Sequence, residues 1–294
     1  FNLPRQPLHE AEVMAIYVGQ TPEPPAISKA YFMALQLFSQ PTDIRGQLNE
    51  LQLFLRAHDR EIPRTDLQDL WGYVLNYSMR EMMKSEGEFD DLTDAIYVHF
   101  YESGLILDEG KLSAFHFTNI VSVRLEMEAF DWVRAFLKEI EGRLINDFEG
   151  SAIQFGWGLL HFSSGEHGEA IRIFKALLED PPKDLYYNLE LRSLLLKAYY
   201  AHKDQLSLAA RDEMEALANS FRIFLTRNEN IPAASRRNYQ NFIRFFLRFH
   251  VLLDDPATDR KKLEKLRDEI EVEKDMVSRK WLLKGIRKHL LKEF

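Results

Sequence analysis

Apolar residues recur at three- and four-residue spacing along almost the whole chain, and this periodicity constrains the fold more than any other feature. In the segment TDLQDLWGYVLNYSMREMM, residues 65–83, the residues that follow it are Leu67, Leu70, Trp71, Val74, Leu75, Tyr77 and Met79. Such spacing gives an α-helix one apolar face, and Thr65 stands where a hydroxyl can cap the first turn. Alternating runs joined by Asn-Gly or Asp-Gly turns, which are typical of strands, are nearly absent. The pattern predicts an all-α protein.

Fourteen periodic segments are separated by short stretches rich in Gly, Pro, Asn and Asp, whose backbone preferences end helices. The predicted helices span residues 8–18, 26–39, 43–58, 65–84, 89–103, 112–126, 129–145, 151–164, 167–179, 184–202, 206–227, 232–253, 259–275 and 279–292. Short connections make successive helices antiparallel neighbours. Because so many helices exceed a simple bundle, we expect helix pairs stacked into a solenoid.

One hairpin, SAIQFGWGLLHFSSGEHGEAIRIFKALLEDPP, carries a motif over residues 151–182. Its small residues Gly158 and Ala170 allow two helices to approach closely, and a large aromatic, Phe174, fills the space beneath. Gly165 lies in the turn and Pro182 ends the second helix. These five positions resemble the tetratricopeptide repeat, a helix–turn–helix unit of about 34 residues.

The resemblance covers about one unit. Trp157 and Leu177 stand where the family usually has leucine and alanine, and a strict 34-residue period fails because it places Arg124 and Arg192 opposite Gly158. The resemblance implies antiparallel helix pairs stacked as a right-handed α-α superhelix. The order of segments is also similar to an uncharacterised bacterial group of such proteins, which implies no activity.

Three regions follow from this reading of the chain. We predict N-terminal helical hairpins over residues 1–60, a repeat array over 61–255 and charged capping helices over 256–294, within one continuous solenoid. The family implies a non-enzymatic scaffold that binds a protein or peptide segment on its concave face. Inner positions of the array would include Asn119, Ser122, Phe155 and Leu159. Because only Asn119 matches the residue types with which some relatives clamp a carboxylate, we expect an apolar or mixed groove.

Charge is unevenly distributed along the chain. From Arg222 onward there are 18 Lys and Arg against 11 Asp and Glu, whereas the whole protein has a net charge of −8. Within this basic quarter, Arg237, Asn241, Arg244 and Arg248 fall on one helical stripe. The stripe suits carboxylates or phosphates, so binding of nucleic acid or an acidic partner is an alternative function. An equally simple reading pairs the stripe with acidic neighbours in the same solenoid.

Signals for chemistry are weak. The sequence contains no cysteine and none of the HExxH, GxGxxG, GxxxxGK[ST] or GxSxG patterns, so we predict neither a metal site nor a cofactor nor a catalytic centre. The acidic residues Glu86, Glu88, Asp90, Asp91 and Asp94 lack the spacing of a calcium loop and are better suited to the positive end of the helix predicted from 89.

Partner and compartment follow from the same pattern. We expect a protein or peptide partner and consider nucleic acid the less favoured one, with the oligomeric state left open. No apolar run reaches the 18 or so residues that a spanning helix needs, and a cytoplasmic location is expected. The chain begins with Phe1 rather than Met, as it would if a leader or an upstream domain had been removed.

Overall fold

The computed structural model describes residues 19–38, 42–85, 87–145, 149–181, 184–254 and 260–292. The described residues form thirteen α-helices and two very short strands. The helices are α1 (Ala26–Phe38), α2 (Ile44–Ala57), α3 (Arg64–Lys84), α4 (Asp90–Glu102), α5 (Ala114–Glu126), α6 (Phe130–Glu139), α7 (Glu149–Ser163), α8 (His167–Glu179), α9 (Leu185–Ala201), α10 (Leu208–Arg227), α11 (Ala233–Asp254), α12 (Arg260–Val272) and α13 (Arg279–Lys292). The all-α prediction is confirmed, whereas the helix predicted at 8–18 and Pro182 lie outside the described residues.

Packing divides the chain into two units, Phe1–Gly156 and Trp157–Phe294. In the first unit each helix from α1 to α6 packs on the next, and α1 also contacts α3. In the second unit each helix from α8 to α13 packs on the next, while α11 contacts both α9 and α13. Contacts between successive helices are those of helical hairpins, so the chain is compatible with a helical-repeat fold. The predicted boundaries at residues 60 and 255 stay predictions.

The helices are held by continuous apolar faces. In α3, Leu70, Trp71 and Val74 are completely buried, as the spacing of the apolar residues predicts. In contrast α12, which is rich in charge, buries only Leu263, Leu266 and Ile270 among its thirteen residues. None of the helices in the described ranges is long and apolar enough to cross a membrane.

Two predicted helices are too long because their ends form a strand pair. Strand β1 (Leu112–Ser113) runs parallel to β2 (Leu144–Ile145), and the amide of Leu112 donates to the carbonyl of Arg143 at 2.8 Å. The helix predicted at 129–145 ends early because Gly142 adopts a φ of 79°, a left-handed conformation that ends helices.

Helix starts show which predicted caps form. The hydroxyl of Ser113 accepts from the amide of His116 and caps α5. Thr65 does not cap α3, because the helix begins one residue earlier, after Pro63, and has no side-chain cap. Of the acidic loop, Asp90 and Asp91 lie in the first turn of α4, where carboxylates favour the positive end of the helix, while Glu86 lies outside the described residues.

The α7–α8 hairpin contains the motif seen in the sequence. Gly165 forms its turn with a φ of 85°, and both Ala170 and Phe174 are completely buried. A β-carbon on Gly158 would lie 2.8 Å from Cδ1 of the Phe174 ring. The glycine is therefore required by close packing of the aromatic ring against α7.

Candidate anion-binding groove

The predicted stripe on α11 is engaged within the protein. Nε of Arg237 lies 2.9 Å from a carboxylate oxygen of Asp275, and the side-chain amide of Asn241 donates to the backbone carbonyl of the same residue at 2.9 Å. Both acceptors lie in the segment that follows α12. This half of the stripe therefore contacts the neighbouring segment of its own chain.

The other half of the stripe contacts carboxylates in the same way. Arg244 lies 3.5 Å from Glu273, and Arg248 binds Glu269 on α12 with two hydrogen bonds of 2.5 and 3.1 Å. The hydrogen bond from Arg248 lowers the pKa of Glu269. In the structure these arginines therefore pair with carboxylates of their own chain, which was one of the two alternatives that the sequence left open. A ligand for the stripe stays a prediction, and it would have to displace these carboxylates.

The four predicted inner positions have different surroundings. Asn119 on α5 hydrogen-bonds Tyr97, whose pKa is raised by burial, and Ser122 on the same helix is exposed. Phe155 and Leu159 on α7 are only 2% and 9% exposed. These two side chains belong to the core and offer a partner almost no surface.

A basic groove in the second unit was not predicted. It has a volume of about 270 Å³ and lies between the start of α8, the end of α9 with the turn after it, and one face of α13. Three lysines and two histidines line it, together with two aromatic rings and one carboxylate. These residues are Lys203, Lys284, Lys288, His167, His289, Tyr200, Trp281 and Asp204.

Helix α13 supplies one wall of the groove. Trp281, Lys284, Gly285 and Lys288 follow one another at helical spacing and share a face, while Leu282 and Ile286 on the other side are completely buried. Gly285 allows this wall to approach closely, because a β-carbon there would lie 3.2 Å from Phe249 and 3.8 Å from the Tyr200 hydroxyl. This pattern within 281–288 is the one sequence signal that could have indicated the groove.

The floor of the groove is aromatic. The rings of Tyr200 and Trp281 pack edge to face with centroids 5.3 Å apart, and Nζ of Lys203 lies 5.4 Å from the centroid of the Tyr200 ring. The Tyr200 hydroxyl lies 3.1 Å from Nε2 of His289. Burial raises the pKa of Tyr200, and Asp204 raises it further, so the hydroxyl stays protonated at neutral pH.

The cations of the groove are not neutralised by carboxylates. Within the described part of the chain, Lys203, Lys284 and Lys288 form no ion pair, and Asp204 is the only carboxylate that lines the groove. Burial lowers the pKa of His167, as do His202 and Lys288, so its ring is neutral at pH 7. The three lysines and Asp204 together contribute a net charge of +2 to the groove.

His167 also contributes an unsatisfied polar atom. Its Nδ1 is buried and has no hydrogen-bond partner among the described residues. Buried polar atoms in proteins are usually paired.

A second groove, in the first unit, is larger but has no unpaired cation among its described lining residues. It has a volume of about 360 Å³ and is lined by Tyr101, Trp132 and Phe136. The one cation in the described lining is already paired, since Arg143 lies 3.1 Å from Glu139, and Glu102 adds a further negative charge. The hydroxyl of Tyr101 donates to the carboxylate of Glu139. The groove of the second unit is therefore the better candidate for a charged ligand.

The comparisons with known proteins identify no relative. No protein-family model, curated protein or solved structure matches the chain. The resemblance to the tetratricopeptide repeat therefore rests on the hairpin at 151–182 and on the packing of successive helices, and the similarity to a bacterial group receives no support from these comparisons.

Proposed function

We propose that the protein is a binding protein that holds an acidic segment of a partner protein in the basic groove between α9 and α13. The observation that carries the proposal is the convergence of three lysines without ion pairs, Lys203, Lys284 and Lys288, on the aromatic floor of Tyr200 and Trp281. Such a surface attracts carboxylates or phosphates at its rim and buries apolar groups of the same segment at its floor. This refines the expected scaffold role, whose concave face stays a prediction.

A nucleic acid is the less favoured partner. Binding to a polyanion needs a continuous track of cations that neutralise successive phosphates. The arginine stripe of α11 would extend such a track, but its guanidinium groups contact Glu269, Glu273 and Asp275, and the whole protein carries a net charge of −8. The groove itself is lined by three lysines and suits one or two anionic side chains.

The magnitude of the effect can be estimated from the lysines. A solvent-exposed ion pair contributes about 0.2–1 kcal/mol, and reversing a charge replaces the attraction by a repulsion of similar size. Reversal of both Lys284 and Lys288 should therefore cost about 1–4 kcal/mol, which corresponds to a loss of affinity of about 5- to 900-fold.

The test is a titration with a designed peptide. An eight-residue peptide that alternates Glu and Phe would be labelled and titrated with the protein, using fluorescence anisotropy at low salt. A peptide in which Gln replaces Glu controls for apolar binding. We expect the Glu peptide to bind and the Gln peptide to bind much more weakly.

The double variant K284E/K288E then tests the site, and K261E/K265E provides a matched control. Lys261 and Lys265 lie on α12 with the same four-residue spacing, are exposed and lie outside the groove. We expect only K284E/K288E to lose the peptide. An equal loss in both variants would show that net charge alone attracts the peptide, and unchanged binding in both would place the contact elsewhere. Either result would refute the proposal.

A further inference from the structure

We propose that the basic groove recognises a phosphate monoester on a side chain of the partner, in preference to a carboxylate. This inference rests on the proposed function, because it specifies the acidic group that the groove binds. The observations that carry it are the types of donor, their distribution over two walls, and the net charge of the lining.

The donors suit a tetrahedral anion. The groove is lined by lysines and histidines, and no arginine is among the described residues that line it. A planar carboxylate is recognised best by the two parallel N–H groups of a guanidinium, whereas an ammonium group acts as a compact point charge that can approach from any direction. A donor set of Lys203, Lys284 and Lys288 therefore has no built-in preference for a planar acceptor.

The donors also come from two sides of the groove. Lys203 belongs to the turn after α9, while Lys284 and Lys288 follow one another on α13, one helical turn apart. A phosphate monoester has three terminal oxygens that point in different directions, and all three are strong acceptors. Donors on both walls can bind different oxygens of one phosphate, whereas a carboxylate offers two oxygens in one plane.

The charge of the lining matches that of a phosphate. The three lysines and Asp204 together contribute a net charge of +2, and burial, His202 and Lys288 lower the pKa of His167, which favours its neutral form. A phosphate monoester carries about −1.5 to −2 charges at pH 7, and a single carboxylate carries −1. A phosphate therefore balances the +2 charge of the lysines and Asp204, whereas one carboxylate leaves part of that charge uncompensated.

The aromatic floor of the groove also fits this ligand. The rings of Tyr200 and Trp281 provide an apolar floor for the rest of the phosphorylated side chain. Asp204 is the one described lining group whose negative charge opposes a dianion. Removing this charge by substitution therefore tests whether charge determines the affinity for phosphate.

The experiment compares three peptides of one sequence that differ at a single central residue, which is phosphoserine, glutamate or serine. Isothermal titration with the full chain at pH 7.5 measures each affinity. We expect the phosphoserine peptide to bind about tenfold more tightly than the glutamate peptide, because a second charge and a third acceptor oxygen add at least one charge-assisted contact. The serine peptide should bind more weakly than both.

Two variants examine the same preference without removing positive charge from the groove. Asp204→Asn should strengthen binding of the phosphoserine peptide several-fold, because it removes the carboxylate that repels the phosphate. The double variant K284R/K288R keeps both charges but introduces two planar guanidinium groups, which suit a carboxylate. It should therefore reduce the difference in affinity between the phosphoserine and glutamate peptides. Circular dichroism would show that both variants keep the helical fold.

The possible results separate this inference from the proposed function. Equal affinities for the phosphoserine and glutamate peptides would overturn the phosphate preference and leave the acidic-segment proposal intact. Absence of binding for both peptides, together with no binding of the Glu and Phe peptide, would overturn both proposals. A titration with adenosine monophosphate completes the set of ligands. Tight binding of this nucleotide with no binding of the phosphoserine peptide would assign the groove to a nucleotide and overturn the inference.

Discussion

Replacing Gly158 by alanine tests the packing of the α7–α8 hairpin. The new β-carbon would lie 2.8 Å from Cδ1 of Phe174, well inside the usual separation of about 3.5–4.0 Å between carbon atoms. The ring is 0% exposed, so neighbouring side chains restrict its movement. Overpacking of this kind costs about 1–3 kcal/mol. Replacing Gly by Ala within a helix stabilises it by up to about 1 kcal/mol, because alanine has the higher helix propensity. We therefore expect G158A to lower the free energy of unfolding by about 1 kcal/mol.

The assay is urea denaturation followed by circular dichroism at 222 nm, which gives the free energy of unfolding by linear extrapolation. The matched control is G168A in α8, where the new β-carbon would meet Nε2 of His202 at 3.5 Å, an ordinary contact. G168A should unfold at the same urea concentration as the natural protein or slightly above it. If G158A proves as stable as G168A, the ring of Phe174 does not pack against Gly158 as closely as the structure shows.

A second substitution isolates the overlap itself. Phe174→Leu removes the ring that a β-carbon on Gly158 would meet, so the two changes should not add. In the double variant G158A/F174L, the cost of the alanine should disappear, although the loss of the buried ring destabilises both backgrounds. Additive effects would mean that the cost of G158A arises from some other contact.

Three further predictions concern a turn, a titrating pair and the arginine stripe. Gly142→Ala should lower stability by about 1–2 kcal/mol, because its φ of 79° is unfavourable for a residue with a β-carbon; an unchanged thermal midpoint would contradict this. The hydrogen bond from Arg45 lowers the pKa of Asp91, so Asp91 contributes stability above its unfolded pKa of about 3.9, and this is lost as the pH falls. The D91N variant should therefore show a flatter loss of stability below pH 4, and curves parallel to those of the natural protein would argue against it. Arg248→Ala should cost less than about 1 kcal/mol, since its pair with Glu269 is 42% and 36% exposed, and a loss of several kcal/mol in urea would refute that estimate.

Helices with strong boundary signals were predicted closely from the sequence. The bounds of α8 and α13 coincide with the predicted 167–179 and 279–292, because each combines an apolar stripe with a clear start. In contrast the segment 129–145 was assigned to one helix, although its last two residues pair with β1. Leu144 and Ile145 continue the apolar spacing, and periodicity alone does not show that Gly142 has left the helical conformation.

The site was harder to predict than the fold for two physical reasons. The groove combines residues from three distant segments, around His167, Lys203 and Lys284, and only tertiary packing brings them together. In addition, a sequence shows where basic residues lie but not which of them already hold a carboxylate. Arg248 and Lys284 are equally basic in the sequence, yet only the arginine has an internal partner among the described residues.

The engaged stripe has a consequence for the dynamics of α12. This helix contributes few apolar residues to the core, and Arg248 attaches it to α11 through Glu269, while Arg237 and Arg244 hold the segment that follows it. Ionic contacts weaken as salt screens them, whereas apolar packing does not. Amide hydrogens of α12 should therefore exchange with solvent faster in 1 M sodium chloride, while those of the aromatic-rich α11 stay protected. The ion pairs of the arginines would then make the attachment of α12 to α11 dependent on the salt concentration.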